Sequence, residues 1–315
     1  MGAGQILRFG LLVAAAVSPT WYLHTNAEPG SRARGSNGVL FDDFSYSGAL
    51  DPLLARRGWT VRSGLGGPGV PGVSWSPSAV SFPDGLLTLD SVTDGTASGT
   101  VQAALFTTRQ RFREGTYACR MRFSDSPLSG LDSAHVVQTF FTITPLRKDN
   151  DLDYSELDFE YLPNGGWGAP DTRLYATSWE TYQAEPWHPV RTLTTERASF
   201  AGWHDLVIQV SDGRMRYYVD GRLFADHGGI YYPEQLMRIQ FNQWFADLEG
   251  GSSRRTYRQQ VDWIYHSKGE TVAPADVPHR VAGFRAAGID FRDTLPSPSK
   301  SAAPAPTGPR WAPTP

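Results

Sequence analysis

The densest chemistry in this sequence lies in the run Ser155–Leu162, SELDFEYL, where Glu156, Asp158 and Glu160 alternate with Leu157 and Phe159. Successive side chains on a strand point to opposite faces, so the three carboxylates share one face while the apolar pair enters the core. Such a strand works against folding. Asp and Glu are disfavoured in strands, and three like charges in a row repel unless some are protonated or solvated. A solvated polar face is the ordinary reading of a single acidic pair; a strictly alternating triplet among many aromatic residues points instead to a working site. Two carboxyls are the equipment of glycoside hydrolysis, one as nucleophile or base and the other as general acid, and the retaining form needs them about 5–5.5 Å apart. Positions i and i+4 on a strand have Cα atoms roughly 13 Å apart, from a rise of about 3.3 Å per residue. Glu156 and Glu160 must then lean together across Asp158. A concave sheet favours this, and the same curve makes a groove for a polymer.

The elements that must position this strand are themselves strands. Between about residues 37 and 268, short alternating runs separated by turn signals give the pattern of an antiparallel sandwich or barrel. Leu86–Asp90, Thr116–Phe123, His135–Thr144, Ser155–Leu162 and Thr172–Trp179 are expected strands, with no long amphipathic helix among them. The stretch WHDLVIQVSDGRMRYYVDGRLF holds two hairpin signals, Asp212-Gly213 and Asp220-Gly221, which imply three consecutive strands. Leu236–Trp244 and Gln260–Ser267 bring the total to about ten, which suits a two-sheet jelly roll larger than an immunoglobulin domain. The expected fold class is therefore all-β, a curved antiparallel sandwich with a concave cleft.

SELDFEYL matches the E-x-D-x-E signature of glycoside hydrolase family 16, and the resemblance extends through most of residues 40–267. VVQTFFTIT before the motif, then GWHDLVIQV, RYYVDGRLF, FNQWF and the closing VDWIYH, fall in the order seen in the bacterial lichenases of that family. The resemblance implies endo-acting, retaining hydrolysis of a β-linked polysaccharide, with Glu156 as nucleophile, Asp158 as its assisting carboxylate and Glu160 as acid/base. The single residue between Asp158 and Glu160 resembles the lichenase and xyloglucan-transglycosylase branch, and lichenases imply a β-1,3/1,4-glucan as substrate. Asn242 and Trp244 in FNQWF match a segment that lines the sugar cleft, and Arg120 in ACRMR matches a substrate-contacting arginine. Ala118 stands where lichenases carry a glutamate, and WETYQAEPWHP departs from its lichenase counterpart. Trp179, which ends the strand next in sequence, is expected in the cleft with Trp244, whereas Trp203 and Trp263 sit in regular apolar patterns and read as structural. The family also implies a structural calcium held by the aspartate of the closing segment, here Asp262; the plain alternative is a strand-end aspartate paired to the backbone. No cofactor is implied for the chemistry itself.

Other readings find less support. DNDLDYSELDFE imitates a calcium loop, but Tyr154 stands where that loop needs glycine and no helices flank it. No G-x-S-x-G is present, and the histidines are scattered without metal-ligand spacing. Cys119 is the sole cysteine, which excludes an internal disulfide, and its alternating run TYACRMRF makes it a small core residue. Two rivals share the same fold: a transglycosylase, which passes through the same intermediate, and a carbohydrate-binding jelly roll without catalysis. Sugar binding alone would not require a repelling triplet.

Composition narrows the partners. With 29 basic and 32 acidic side chains among 315 residues, the net charge of −3 gives no electrostatic reason to expect nucleic acid. Apolar residues at 40% support a sizeable core. At the N-terminus Arg8 precedes the apolar run Phe9–Val17, and Thr25-Asn26-Ala27 suits a signal peptidase, so residues 1–27 are expected to be a signal peptide of a secreted protein. The run is too short to span a bilayer. The expected organisation is then a jelly roll at 37–268, an extension at 269–296 and a Pro/Ala/Ser-rich tail at 297–315. The expected partner is a polysaccharide or oligosaccharide, met by a monomer.

Overall fold

The computed structural model describes residues 38–249 and 251–296. The expected signal peptide and the Pro/Ala/Ser-rich tail lie outside the described residues. Alternation of apolar and polar side chains dictates two sheets around a shared core. The first, which carries the acidic strand, runs in the order Trp59–Val61, Val101–Thr107, Arg238–Phe245, Val136–Ile143, Glu156–Leu162, Arg173–Gln183 and His188–Glu196. The second, outer sheet is organised by the long strand Arg255–Lys268. Leu87–Thr93 and Val39–Asp42 pair along one edge of it, and Gly115–Phe123, Gly202–Ser211, Arg214–Val219 and Arg222–Gly228 follow on the other. These pairings are antiparallel, as the alternating pattern implies.

Both Asp-Gly pairs form two-residue hairpin turns. Asp212 and Gly213 have φ of 52° and 72°, and Asp220 and Gly221 have φ of 50° and 78°. Positive φ at both central positions is the type I′ geometry that matches strand twist and that Asp-Gly tolerates. The core between the sheets takes Leu157, Phe159 and Tyr161 from the acidic strand and Cys119, Met121, Leu206, Ile208 and Val210 from the outer sheet. Phe159 meets Tyr217 edge-on at 5.3 Å, and Phe140 stacks on Phe241 at 5.3 Å. Burial of each such side chain contributes about 1.5–3 kcal/mol, which anchors a strand whose other face repels itself. The N-terminal segment is tied in by the buried Asp42 carboxylate, which accepts from Phe44 N at 2.8 Å, from Trp59 Nε1 at 2.7 Å and from the Tyr46 hydroxyl.

The extension at 269–296 is continuous with this fold. Helix Val277–Ala286 lays Val277, Val281 and Phe284, at i, i+4 and i+7, on the outer face of the outer sheet against Phe41, Ala118, Val207, Trp263 and Tyr265. Phe284 stacks on Phe41 at 4.8 Å, and strand Phe291–Asp293 pairs with Val39–Asp42. No helix of the described residues is long and apolar enough to cross a membrane.

This helix also decides the fate of Asp262. Arg285 donates to Asp262 Oδ1 at 2.6 Å and to Oδ2 at 3.4 Å, and its guanidinium bonds Asp43 as well. Arg120 Nε stands 4.0 Å from Asp262 Oδ2 on the other side. A guanidinium thus fills the place that a calcium ligated by Asp262 would need, and two arginines supply the positive charge. The residues present do not fit that ion, and the expectation of a calcium ligand at Asp262 is corrected: the aspartate is neither a metal ligand nor paired to the backbone, but docks the helix. Chelator or added calcium should leave the melting temperature unchanged, while Arg285→Met should lower it by roughly 2–4 °C for each kcal/mol lost. A calcium-dependent rise in melting temperature that Asp262→Asn abolishes would reverse this assignment.

Candidate active site

Cross-strand register places each functional side chain. Glu156 stands opposite Ile143 on one neighbour and Trp179 on the other; Asp158 opposite Phe141 and Thr177; Glu160 opposite Thr139 and Tyr175. All of these share the cleft face, because residues directly opposite one another project on the same side. Glu156, Asp158 and Glu160 line one cavity together with Pro68, Thr139, Phe141, Asn242 and Trp244. The triplet thus forms a common wall of this cavity, which the loop residue Pro68 also lines.

The three carboxyls differ in their partners. The Tyr154 hydroxyl donates to Glu156 Oε2. Trp179 Nε1 donates to Asp158 Oδ2 at 2.8 Å, and hydrogen bonding between the Asp158 and Glu156 carboxyls lowers the pKa of Glu156 and raises that of Asp158. Glu160 has no side-chain donor among the described residues and is the most accessible of the three. Burial pushes all three above the usual carboxylate range. Glu156 is lifted by burial to about 8, above Glu160, although the Tyr154 hydroxyl, Asp158 and the charge of Arg191 work against that rise; the charge of Glu160 adds to it. Asp158 is driven well above the usual carboxylate range, first by burial and then by the charges of its two neighbours. Glu160 is lifted by burial and held down by Arg191 alone.

Trp179 and Trp244 are both brought to the cleft. Trp179 does so as a hydrogen-bond donor to Asp158, with the Arg191 guanidinium 4.6 Å from its ring centroid. Trp244 lines the cavity and packs 6.0 Å from Trp167. Asn242 is 1% exposed, and neither Oδ1 nor Nδ2 has a partner. A buried amide with a free donor and a free acceptor is costly to fold and well suited to a ligand hydroxyl. Arg120 is not brought to the site, and that expectation is corrected. Its neighbours Cys119 and Met121 face the core, so Arg120 projects from the outer sheet, where it meets Asp205 at 3.1 Å and the Trp203 ring at 5.8 Å. The Asp149, Asp151 and Asp153 run carries an arginine too: Arg147 Nε bonds Asp151 at 3.0 Å, and its guanidinium also bonds Asp153. His135, Asp247 and Glu249 bring ligand atoms within 4.8 Å of one another, but His135 Nδ1 is already bonded to Asp247 at 2.8 Å.

Sequence reasoning missed Tyr154 and Arg191. Tyr154 shares the parity of Glu156, Asp158 and Glu160, a signal that was available. Arg191 reaches the site only through the pairing of Arg191 with Trp179, which the sequence does not spell out.

Two outcomes follow from these shifts. Tyr154→Phe removes a donor that lowers the Glu156 pKa, so the acidic limb of the kcat/KM profile should move to higher pH, while the fold persists. Glu160 is raised from 4.5 to about 7, so its folded form binds a proton more tightly than the unfolded chain does. Its contribution to stability is then full below 4.5 and lost as pH rises through about 7. Glu160→Gln should accordingly stabilise the fold at pH 8, by on the order of 1–3 kcal/mol and with a higher melting temperature, and the gain should vanish near pH 4. Thermal melts across pH check this; an equal gain at both pH values would rule out the burial argument.

A sequence model described as glycosyl hydrolases family 16 matches residues 72–265. Endo-1,3-1,4-beta-glycanase ExoK of Rhizobium meliloti (strain 1021) is 29% identical over 199 residues, 62% of this chain, and the chain spans 66% of that relative's length. The solved Bacillus licheniformis beta-glucanase aligns at a TM-score of 0.52 and 16% identity, over 73% of this chain and 98% of that one. A family 16 endo-glucanase from Bacteroides ovatus, in complex with G4G3G-2F-DNP, aligns at 0.52 and 11%, over 71% and 98%. At these identities the structures establish the jelly-roll fold, and the sequence model, which covers more than half of the chain, establishes the family: this chain belongs to the glycosyl hydrolases family 16.

Proposed function

We propose that the chain is a secreted, monomeric, endo-acting hydrolase that cleaves a β-glucan containing 1,3 and 1,4 linkages with retention of configuration. The observation that carries this reading is the alignment of Glu156, Asp158 and Glu160 on one cleft wall with the unpartnered Asn242 amide and Trp244. Glu156 attacks the anomeric carbon: burial lifts it to about 8 and Glu160 to about 7 in the free protein, so this role requires the bound sugar to reverse that order, with the Tyr154 hydroxyl and Arg191 favouring the Glu156 anion. Glu160, without a donor of its own, carries the proton in the complex and gives it to the leaving oxygen. It then takes a proton from the water that attacks the covalent intermediate. Asp158, protonated between them and fixed by Trp179, favours the ionised form of Glu156 and relieves charge as the ester forms. The substrate follows the names of the relative and the fold neighbours. Secretion rests on the charged and apolar segment before residue 27.

Mutants with chemical rescue test the roles. Glu160→Ala should slow cleavage of a glucan roughly 10²–10⁴-fold but spare an activated aryl glycoside, which needs little protonation. Glu156→Ala should be inactive on both, and added azide should yield a glycosyl azide of inverted configuration. A β-azide from Glu156→Ala would exchange the two roles. Digestion of barley glucan, laminarin, xyloglucan, agarose and β-galactan tests the substrate; cleavage of galactans alone would overturn the glucan assignment. An oligosaccharide acceptor in the same digest separates hydrolysis from transfer.

A further inference from the structure

Among the described residues, Arg62 and Arg238 at one flank of the cleft sheet make no ion pair. Arg238, Gln240, Asn242 and Trp244 alternate along one strand, so Arg238 shares the face of Asn242 and Trp244 that lines the cavity. Arg62 bonds through its backbone N to the Ala104 carbonyl at 3.0 Å, extending the edge strand by one residue. Because Val61 pairs with Leu105, Arg62 falls opposite Ala104 and, through it, in the row of Asn242, Thr139 and Glu160. The Arg62 guanidinium stacks over Trp75 at 4.1 Å, and that of Arg238 over Phe106 at 5.3 Å. Phe106 lies opposite Gln240 on the strand between them, which sets both cations at the same flank of the cleft.

Neither meets an aspartate or glutamate within salt-bridge distance among the described residues. Arg62 donates only to the Gly67 carbonyl, and Arg238 Nε is buried with no partner. On the outer sheet, by contrast, Arg120, Arg214 and Arg258 each pair with an aspartate. Burial lowers both pKa values, and the charge of Arg238 lowers Arg62 further, to about 10. Two half-buried cations that repel each other, without a protein anion, are a cost to the free molecule that an anion on a ligand would relieve.

We propose that Arg62 and Arg238 form an anion subsite at the flank of the cleft, so that the preferred glycan carries acidic substituents such as carboxylate or sulfate groups. This rests on the reading of the chain as an endo-acting glucanase and refines its substrate. Arg62 also braces the loop that brings Pro68 over the cavity, so Arg238 is the cleaner position to test.

The experiment compares barley glucan with its carboxymethylated and sulfated derivatives. Oligosaccharides from each are titrated calorimetrically into the Glu156→Gln protein, and kcat/KM is measured with the parent enzyme. Acidic ligands should bind roughly five-fold tighter than neutral ones at low salt, with the advantage shrinking as salt rises. Arg238→Gln should erase most of that advantage and Arg238→Lys should keep part of it, while Arg56→Gln, an exposed control, should leave it intact. Preference for one derivative identifies the substituent; preference for both supports the shared charge chemistry. Equal or weaker binding of both acidic ligands, or an advantage that survives Arg238→Gln, overturns the subsite. If neither barley glucan nor its derivatives are cleaved while acidic ligands still bind through Arg238, the subsite stands and the glucanase reading falls.

Discussion

Placing three carboxyl groups side by side on a strand that both neighbours pin is the constraint to which the rest of the fold answers. An edge strand could twist its acids into water; Glu156–Leu162 cannot, since Val136–Ile143 and Arg173–Gln183 hold it from both sides. The repulsion is met on the opposite face by Leu157, Phe159 and Tyr161, all fully buried, whose transfer from water outweighs what the acids cost. Among the acids it is met by protonation, and by donors placed at graded strength: Tyr154 to Glu156, Trp179 to Asp158, none to Glu160. The asymmetry of three similar groups thus comes from their neighbours.

The same logic separates the arginines. On the outer surface they bind elements together, and Arg285 is the clearest case, joining the helix Val277–Ala286 to Asp262 and Asp43. At the cleft Arg191 sits across Trp179 from Glu156, close enough to moderate two carboxyls without bonding either. Arg62 and Arg238 stack on aromatic rings instead of pairing with acids. Guanidinium planes on rings can be held in place while their charge stays available.

Period-two alternation made the sheets, the acidic face and the two Asp-Gly hairpins legible in the sequence, because each is a local property. Trp179 could be placed beside the triplet because hairpin neighbours in sequence are neighbours in space. Arg120 failed for a reason also written in its strand: Cys119 and Met121 claim the core, so Arg120 must face out, and identity of residue type with a relative does not override parity. The helix at 277–286 had its i, i+4, i+7 stripe, but Pro278 and Gly283 obscured it. Arg191, Arg62 and Arg238 were not legible, since their place depends on register across several strands whose order in the sheet is non-local.

The resting pattern of protons need not be the one that reacts. A sugar that displaces water from the cavity lowers the local dielectric and strengthens every charge interaction inside it. Without new donors this pushes all three carboxyls further up. Glu156 keeps its Tyr154 hydroxyl and its neighbour Asp158, both indifferent to solvent, whereas Glu160, the most accessible of the three, loses the water that solvates its anion. On the proposed roles, binding must reverse the resting order of about 8 at Glu156 and about 7 at Glu160, and this loss of solvation at Glu160 works in that direction. The Asn242 amide gains partners at the same moment, so a cost carried by the folded protein is released where the chemistry needs it.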